Sequence, residues 1–497
     1  MSSRYGSALA VSLLTLAIGN GCIPKSTSGQ EQASKDTNKR IEQVNALVAS
    51  VTSAPPEFSA DLLIRIAESD LLGNKKKRAE ILEDAFRQSS DAQQKIRRKV
   101  WAGPVDTRSG YLSAAYDLRL DELSLKSRVI KVMVTLDPQR ARTLFGEIPK
   151  IKLTPLSCED ALGYDVSEFY EALRVIDEKS FTNEEREQAE NVRFVQSYID
   201  ELASPAQVGL TVNLIADLQV RSEELTMLVS SLTLRLKKIS NDPRSFAVSM
   251  RHGEVISSFE RLLSECETKN VPTKDLLSSL RTYMISQLHS AQCSDALFNG
   301  SPHDKKADDI AYINKWFNVP IAPDDVKPLR VGSAEERAPF WTSVNSARLL
   351  MRVKSLRFGT KSTPLSVKER STVEWEQDLL DVLSAVESWD VTTEKTELDY
   401  FHEKCNLYVA LFNLAPADES RARVLLSLAS YLRNTAIKER SRIEWWLHAK
   451  DLLERMSKLD LPRRSKMLEI SRNAGDATLQ LYATLNDLLS GYSNAGS

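Results

Sequence analysis

The chain has 497 residues, with 66 Lys and Arg residues against 68 Asp and Glu residues and a formal net charge of −2 at pH 7. Because charges of both signs are interspersed, the sequence lacks the strong positive field of a nucleic-acid-binding protein, and we expect no nucleic acid partner. Only 17 residues are Gly. This low number, together with abundant Leu, Ala, Glu, Lys and Arg, favours helices over strands.

The first residues predict an export signal. An apolar run from Ala8 to Ile18 follows the positively charged Arg4. The run is too short to span a bilayer as a helix, which takes about 20 apolar residues, but it suits the central region of a secretory signal peptide. Residues 1–21 are therefore predicted to be a signal peptide, and the protein is predicted to be exported.

Cys22 follows the small residue Gly21 at the end of this signal. In this respect the chain resembles bacterial lipoproteins, in which such a cysteine receives a lipid and becomes the first mature residue. The resemblance implies a lipid on Cys22, anchoring to a membrane through that lipid, and a place in the bacterial cell envelope. The alternative is ordinary cleavage after Gly19 or Gly21, which would leave the protein in the periplasm without an anchor.

Residues 22–39 are predicted to form a flexible polar tether. From Ser26 to Lys39 the sequence contains no large apolar residue. Such a segment has little apolar surface to bury against the entropy cost of ordering it. A lipid-anchored protein needs a spacer of this kind between the membrane and its folded body.

Apolar residues recur three and four positions apart over most of the chain after residue 40, which is the spacing of amphipathic helices. In 60–72, for example, Leu62, Leu63 and Ile66 share one face. Such patterns predict helices over 60–72, around Ile81 to Phe86, and over 109–119, 121–136, 165–178, 183–203, 205–218, 222–240, 245–268 and 273–294. Short connections make neighbouring helices antiparallel, so residues 40–294 are predicted to form an N-terminal helical lobe.

A segment with several prolines separates these helices from a second set. Residues 295–332 contain Pro302, Pro320, Pro323 and Pro328 and are predicted to be a linker. A C-terminal helical lobe is predicted over 333–490, and residues 491–497 are predicted to be a disordered tail. The helices of this lobe are predicted over 334–357, 365–388, 393–414, 418–433, 437–458 and 463–489.

One short pattern occurs twice. Arg140-Ala141-Arg142 follows Leu136-Asp137-Pro138, and Arg421-Ala422-Arg423 follows Leu414-Ala415-Pro416. In both places a helix ends at a Leu-x-Pro turn and the next begins with Arg-Ala-Arg. Here the chain resembles tetratricopeptide-type repeat proteins in a degenerate form, in which helix pairs stack. The resemblance implies an all-α fold, an irregular α-solenoid of stacked antiparallel hairpins in two lobes, with a concave face that binds proteins. It assigns no binding residue.

Four cysteines besides Cys22 are candidates for disulfide bonds in an oxidising compartment. Cys158 and Cys293 lie in similar segments, Leu-x4-Cys-x-Asp-Ala-Leu, and are predicted to pair. Cys266 and Cys293 are excluded as a pair, because a helical hairpin over 245–294 would hold them about 27 Å apart. The alternative interpretation is that these three residues and Cys405 are buried thiols on helix faces.

The sequence contains no complete catalytic motif. The nearest is His402-Glu403-Lys404-Cys405-Asn406, which has the start of a zinc-protease helix, but Asn406 stands where the second zinc-binding His is required. The other histidines are scattered along the chain. We therefore predict no metal site, assign no catalytic or cofactor-binding residue, and expect no cofactor.

Two classes of function remain. The preferred one is an exported, non-catalytic helical-repeat protein that binds other proteins, of unknown identity, or scaffolds an envelope complex. The alternative is an exported carbohydrate-active enzyme, a glycosidase or polysaccharide lyase built as an all-α toroid. Such an enzyme needs aromatic platforms for sugar rings, for which Trp445-Trp446 and the region from Trp375 to Trp389 are the candidates, although aromatics at helical spacing also suit a core.

Overall fold

The structure of the chain is a computed structural model that describes residues 27–92, 118–151, 153, 166–239, 252–289, 310–322, 325, 344–358, 372–390, 397–415, 417–435, 442–456, 459, 469 and 477–493. Every regular element within these ranges is helical, so the all-α prediction is confirmed. Across the same ranges, no helix has the combination of length and hydropathy that crossing a membrane requires.

The α-helices are numbered in chain order, and short 3-10 turns at Val51–Ser53, Asp70–Leu72 and Pro205–Gln207 connect some of them. The first twelve are α1 (Thr27–Ser50), α2 (Pro56–Glu68), α3 (Lys75–Ser89), α4 (Glu122–Leu136), α5 (Pro138–Gly146), α6 (Ser167–Lys179), α7 (Asn183–Glu187), α8 (Glu190–Ile199), α9 (Val208–Asp217), α10 (Ser222–Ile239), α11 (His252–Thr268) and α12 (Lys274–His289). The C-terminal set is α13 (Val344–Phe358), α14 (Thr372–Ser388), α15 (Glu397–Leu414), α16 (Asp418–Asn434), α17 (Arg442–Met456) and α18 (Ala477–Ser493).

Side chains at the helix starts explain several boundaries. Asn74, Asp121 and Asp137 each accept a hydrogen bond from a backbone N–H in the first turn of α3, α4 and α5. These bonds satisfy donors that have no partner inside the helix. At α7, Thr182 and Glu185 form a reciprocal capping box.

The single helix predicted over 183–203 is wrong, because the structure divides it into α7 and α8. Ala189 has a left-handed backbone with φ of 57°, which ends one helix and redirects the chain into the next. After the break, the side-chain amide of Asn191 donates to Asp177 on α6 over 3.0 Å. The new direction places Val192 and Val195 in the core.

Several helices of the N-terminal set pack against the next helix but one, and some also pack against the next helix. α2 packs on α3 and α4, α4 on α5 and α6, α9 on α11, and α10 on α12. The shared core consists of residues that the helical spacing placed on one face, such as Leu62, Ile66 and Leu82. In the C-terminal set α13 packs on α14 and α15, and α16 packs on α15 and α17.

The two ends of the chain meet. α18 packs against α1 and α2, and Trp446 on α17 lies between Phe58 of α2 and Tyr482 of α18, with ring centroids 5.1 and 4.2 Å away. The predicted lobes 40–294 and 333–490 therefore contact each other directly through their first and last helices. α18 also continues to Ser493, past the predicted boundary at residue 490.

A helix occupies much of the segment predicted to be a flexible tether. α1 begins at Thr27 and runs without interruption into residues that pack on the body. Gln, Glu, Ala and Lys, which are frequent in this segment, are good helix formers, and Val44 and Leu47 bury the apolar side of the C-terminal half. The predicted signal peptide and residues 22–26 lie outside the described residues.

Part of the predicted linker packs on the N-terminal set. Lys315 forms an ion pair of 2.6 Å with Glu260 on α11, and Arg281 on α12 donates to the backbone carbonyl of Val319 over 2.7 Å. Residues 310–322 are thus attached to α11 and α12, whereas 295–309 and 326–332 lie outside the described residues, as does most of the helix predicted over 109–119.

Candidate functional site

A cavity of about 190 Å³ lies beside the C-terminal ends of α5 and α8 and the N-terminal half of α6. We call it the α5–α8 cavity. Its walls combine apolar, aromatic and polar side chains with one charged pair. The lining residues are Gly146, Ile148, Pro149, Lys150, Ile151, Phe169, Tyr170, Ser197, Tyr198, Glu201 and Gln207.

Helix ends create the cavity. α5 stops at Gly146 and α8 stops at Ile199, each with backbone N–H groups of the following residues bonded to carbonyls in the last turn. The chain then turns at Ser204, where a capping box with Gln207 starts a 3-10 turn that leads into α9. Three elements end or begin at the same place, so their side chains converge without filling the space.

The floor of the cavity is a buried set of hydrogen bonds. The Gln207 side-chain amide donates to the Tyr170 hydroxyl over 3.2 Å, and the hydroxyls of Tyr170 and Thr211 lie 3.0 Å apart. Thr211 also donates to the backbone carbonyl of Gln207 over 2.8 Å. Burial raises the pKa of Tyr170 to about 12, so this hydroxyl stays protonated near neutral pH and holds the floor in place.

The rings of Phe169 and Tyr198 form one wall of the cavity, and they contact further aromatic rings. Phe169 stacks on Phe145 with centroids 5.0 Å apart, and Tyr198 meets both rings edge-on at 5.8 and 5.2 Å. Phe194 adds a further edge contact with Tyr198 at 5.2 Å. Burial, reinforced by the nearby Glu201, raises the pKa of Tyr198 to about 12. The wall is therefore neutral and electron-rich at physiological pH.

A charged pair stands at the rim. Lys150, whose side chain is 69% exposed, forms an ion pair with Glu201, whose side chain is 35% exposed. Exposed pairs of this type contribute roughly 0–1 kcal/mol because water screens them and both side chains lose freedom. The rim is polar and adaptable, whereas the floor and the aromatic wall are packed.

A second cluster of charges is buried where the chain ends meet. Asp61 on α2 accepts hydrogen bonds from Arg65 over 2.8 Å, from Arg128 on α4 over 2.5 Å and from Tyr482 on α18 over 2.5 Å. Burial alone would raise the pKa of Asp61, but Arg128, Arg65 and Tyr482 together hold it well below its ordinary value. Burial and the Asp61 charge move the pKa of Tyr482 well above its usual range.

These two groups do not act as an acid and a base near neutral pH, because their pKa values are moved apart, away from 7. Asp61 stays ionised and Tyr482 stays protonated. We therefore assign the cluster a structural role, which is to attach α18 to α2 and α4. Glu168 on α6 pairs with Arg119 at 2.6 Å and with Lys131 on α4 at 2.5 Å, which links α6 to α4.

A pair of histidines lies in the C-terminal set. Nδ1 of His402 on α15 and Nε2 of His448 on α17 are 2.8 Å apart, and both side chains are buried. Within the described part of the chain, no group of three or more His, Cys, Asp or Glu side chains has an arrangement that could hold a metal ion. The pair is a polar contact between two packed helices.

No protein-family model matches the chain, and a search of curated proteins finds no significant match.

The predicted site residues fall into two groups. Cys22, Cys158 and Cys293 lie outside the described residues, so lipidation and the proposed disulfide stay predictions. Cys266 and Cys405 are buried free thiols, and burial raises the pKa of Cys266 to about 11 and that of Cys405 well above its ordinary value. Both are therefore poor nucleophiles in the folded protein.

The tryptophans suggested as sugar platforms are core residues. All four are buried, and they are Trp375, Trp389, Trp445 and Trp446. The indole N–H groups of Trp375 and Trp445 donate to backbone carbonyls inside the fold. They form no exposed platform, because helical packing turns them inward.

The residues of the α5–α8 cavity were not singled out from the sequence. Phe169-Tyr170 and Phe194 to Tyr198 are a local concentration of aromatics, and this was the available signal. It is weak, since aromatics at helical spacing usually form a core. Only the meeting of three helix ends reveals that some of these rings line an open space.

Proposed function

We propose that this protein is an exported helical scaffold that binds other proteins and catalyses no reaction. The size of the α5–α8 cavity carries the proposal. At about 190 Å³ it is smaller than the roughly 300–1,000 Å³ of typical small-molecule sites. It matches one side chain of a partner, and interfaces concentrate binding energy in such anchored side chains.

The proposed architecture is an irregular α-solenoid of stacked antiparallel hairpins in two lobes. The contacts of α2 with α4, α4 with α6, α9 with α11 and α10 with α12 support stacking of alternate helices. Stacked helices offer extended surfaces around a local pocket. The bonds from Tyr482 and Arg128 to Asp61 support a framework whose ends are fastened together.

The proposed location is the bacterial cell envelope, with a lipid on Cys22 or, in the alternative, free in the periplasm. The apolar run and the small residues before Cys22 support it. A lipid on Cys22 would attach the protein to the membrane at the N-terminal side of α1 (Thr27–Ser50).

Site-specific photo-crosslinking tests the binding function. A photoreactive phenylalanine derivative replaces Ser197 at the cavity rim or, as a control, Ser230 on α10. Both serines are exposed, and each donates a hydrogen bond to a carbonyl of its own helix. We expect a discrete adduct with one protein at 197 and none at 230, identified by mass spectrometry after irradiation of cells.

The purified partner must then bind the wild-type protein and lose affinity by tenfold or more for Tyr198→Ala. Equal adducts at both positions would contradict the proposal, because they indicate random collisions. Hydrolysis or elimination of a polysaccharide by the purified protein would contradict it in favour of the carbohydrate-active alternative.

A further inference from the structure

We propose that the α5–α8 cavity recognises a cationic side chain, Lys or Arg, of the partner protein, and that Lys150 occupies the same place in the free protein. This inference rests on the proposed function and adds the chemistry of the partner. It follows from the charge, the helix ends and the rings that surround the cavity.

The charge of the lining is the first argument. Glu201 is its acidic residue and Lys150 its basic residue, while the other nine lining residues are neutral. The two charges pair with each other. When the Lys150 ammonium moves away, the cavity is left with one uncompensated carboxylate at its rim, which attracts a cation.

The helix ends near the cavity also favour a cation. Gly146 is the last residue of α5, and Ser197 and Tyr198 belong to the last turn of α8. The C-terminal end of a helix carries partial negative charge on its carbonyl groups, and it therefore favours a nearby cation. An anionic ligand would face both helix ends and Glu201 together.

The aromatic wall favours a cation for a third reason. Phe169 and Tyr198 line the cavity, and the faces of neutral aromatic rings attract ammonium and guanidinium groups. Tyr198 remains a neutral phenol near pH 7, since burial and Glu201 raise its pKa to about 12.

The same chain already holds a lysine among helix-end carbonyls and tyrosine side chains. The Lys404 ammonium lies 4.9 Å from the centre of the Tyr431 ring. It donates to the backbone carbonyls of Glu387 and Trp389, at the C-terminal end of α14, over 3.1 and 2.7 Å. The ammonium also donates to the Tyr400 hydroxyl over 3.0 Å. Helix-end carbonyls together with tyrosine side chains therefore bind an ammonium group in this fold.

Lys150 is suited to be displaced. Its side chain is largely exposed and is held by the partly exposed Glu201. Such a contact is weak, and the long lysine chain can turn into water without disturbing the packed floor. A lysine or arginine from a partner can then take over the carboxylate, while its aliphatic stem lies along Ile148 and Ile151.

Short peptides test the inference on the purified full-length protein. The peptides are acetyl-Gly-Ser-Xaa-Ser-Gly-amide with Arg, Lys, Leu or Glu at Xaa, and binding is followed by ligand-observed NMR titration. We expect the Arg and Lys peptides to bind the Lys150→Ala variant at least five times more tightly than wild type, because the internal competitor is gone. Adding Glu201→Gln to that variant should cancel the gain.

Lys269→Ala is the matched control. Lys269 also pairs with an exposed glutamate, Glu265, at 3.3 Å, and its removal changes the net charge equally without touching the cavity. Free ethylguanidine and butylamine form a separate arm, which shows whether the cation suffices without the peptide backbone. Equal gains for Lys150→Ala and Lys269→Ala, or tighter binding of the Leu peptide than of the Arg peptide, would overturn the inference.

The two proposals fail separately. If a partner crosslinks at position 197 but the cationic peptides do not bind, the binding function stands and the cationic ligand is wrong. If the cationic peptides bind with the expected dependence on Lys150 and Glu201 but no protein crosslinks, the recognition chemistry stands and the scaffold function is wrong.

Discussion

A single carboxylate shows how this fold uses buried charge. Asp61 is 2% exposed, and such a group is tolerated only when partners replace the water it has lost. Arg65, Arg128 and Tyr482 provide those bonds from its own helix, from α4 and from α18. The carboxylate thus specifies which helices meet and at which register.

Removing the charge of Asp61 should lower the stability of the protein. We expect Asp61→Asn to lower the free energy of unfolding by about 3 kcal/mol, because it leaves Arg128 buried without its counter-charge. Urea denaturation followed by circular dichroism measures this. The control is Asp84→Asn, which breaks an exposed pair with Arg87 and should change stability by about 0.5 kcal/mol or less. Equal effects would contradict the structural role.

Asp121 shows the opposite behaviour of a buried carboxyl. It caps α4 by accepting from the Ser124 N–H over 2.9 Å, but its Oδ2 is buried without a hydrogen-bond partner in the described residues. Burial raises the pKa of Asp121 to about 6, against the lowering effect of the Ser124 bonds. Unfolding restores the ordinary value of 3.8.

The raised pKa of Asp121 makes the stability of the protein depend on pH. Below pH 3.8 the Asp121 carboxyl is protonated in both states, and between pH 3.8 and 6 the unfolded state releases a proton that the folded state keeps. The raised pKa of Asp121 therefore lowers the free energy of unfolding as the pH rises through this window. We expect Asp121→Asn, which keeps the cap, to gain about 2–3 kcal/mol relative to wild type between pH 4 and 7. A constant difference across this range would contradict the raised pKa.

Among the helices, the packing of α1 against the rest of the protein is the main feature. α1 contacts α18, and its C-terminal half is held by buried apolar residues and by the Lys77 ammonium, which donates to the Asn45 side chain. A polar segment becomes helical here because it continues a helix whose other end is packed, so that the costly nucleation step is already made.

Loosening α1 should expose it to protease. We expect Leu47→Asp to place a charge at a buried position of α1 and to speed trypsin cleavage after Lys39 and Arg40 by tenfold or more, as followed by mass spectrometry. Gln43→Asp is the control at an exposed position of the same helix. Rapid cleavage at these sites in the wild-type protein would instead support a flexible tether.

At the scale of the whole molecule, the decisive contact joins residues separated by 421 positions in the chain. Tyr482 donates to Asp61 across this separation, and Trp446 packs between the same two helices. The N-terminal and C-terminal sets thus share a small interface that is both polar and aromatic. Its integrity determines whether the sets keep one relative arrangement.

A double-mutant cycle measures the strength of the contact between Tyr482 and Asp61. Tyr482→Phe removes the hydroxyl but keeps the ring, and Asp61→Asn removes the charge. Because the two groups share one hydrogen bond, we expect the stability loss of the double variant to be smaller than the sum of the single losses by about 1 kcal/mol. Tyr482→Phe with Asp84→Asn should be additive, and additivity in both cycles would show that the ends of the chain do not meet in solution.

The helix positions were predictable from local information. Apolar spacing located α4, α10 and α16 to within a few residues, because the 3.6-residue period and the capping side chains are encoded where the helix forms. The break at Ala189 was not predictable. No Gly or Pro marks it, and the turn is stabilised by the contact of Asn191 with α6, which is a tertiary effect.

By itself, the sequence determined the helical class, the approximate positions of many helices and the absence of a complete catalytic motif, and it predicts export, since each of these depends on residues close together in the chain. Only the tertiary structure determines which groups come together. Asp61 with Tyr482, His402 with His448, and Lys150 with Glu201 come from different segments, and helical periodicity shows which face a residue occupies but not which other helix that face meets. The α5–α8 cavity belongs to the second class, because it exists only where the ends of three separate elements converge.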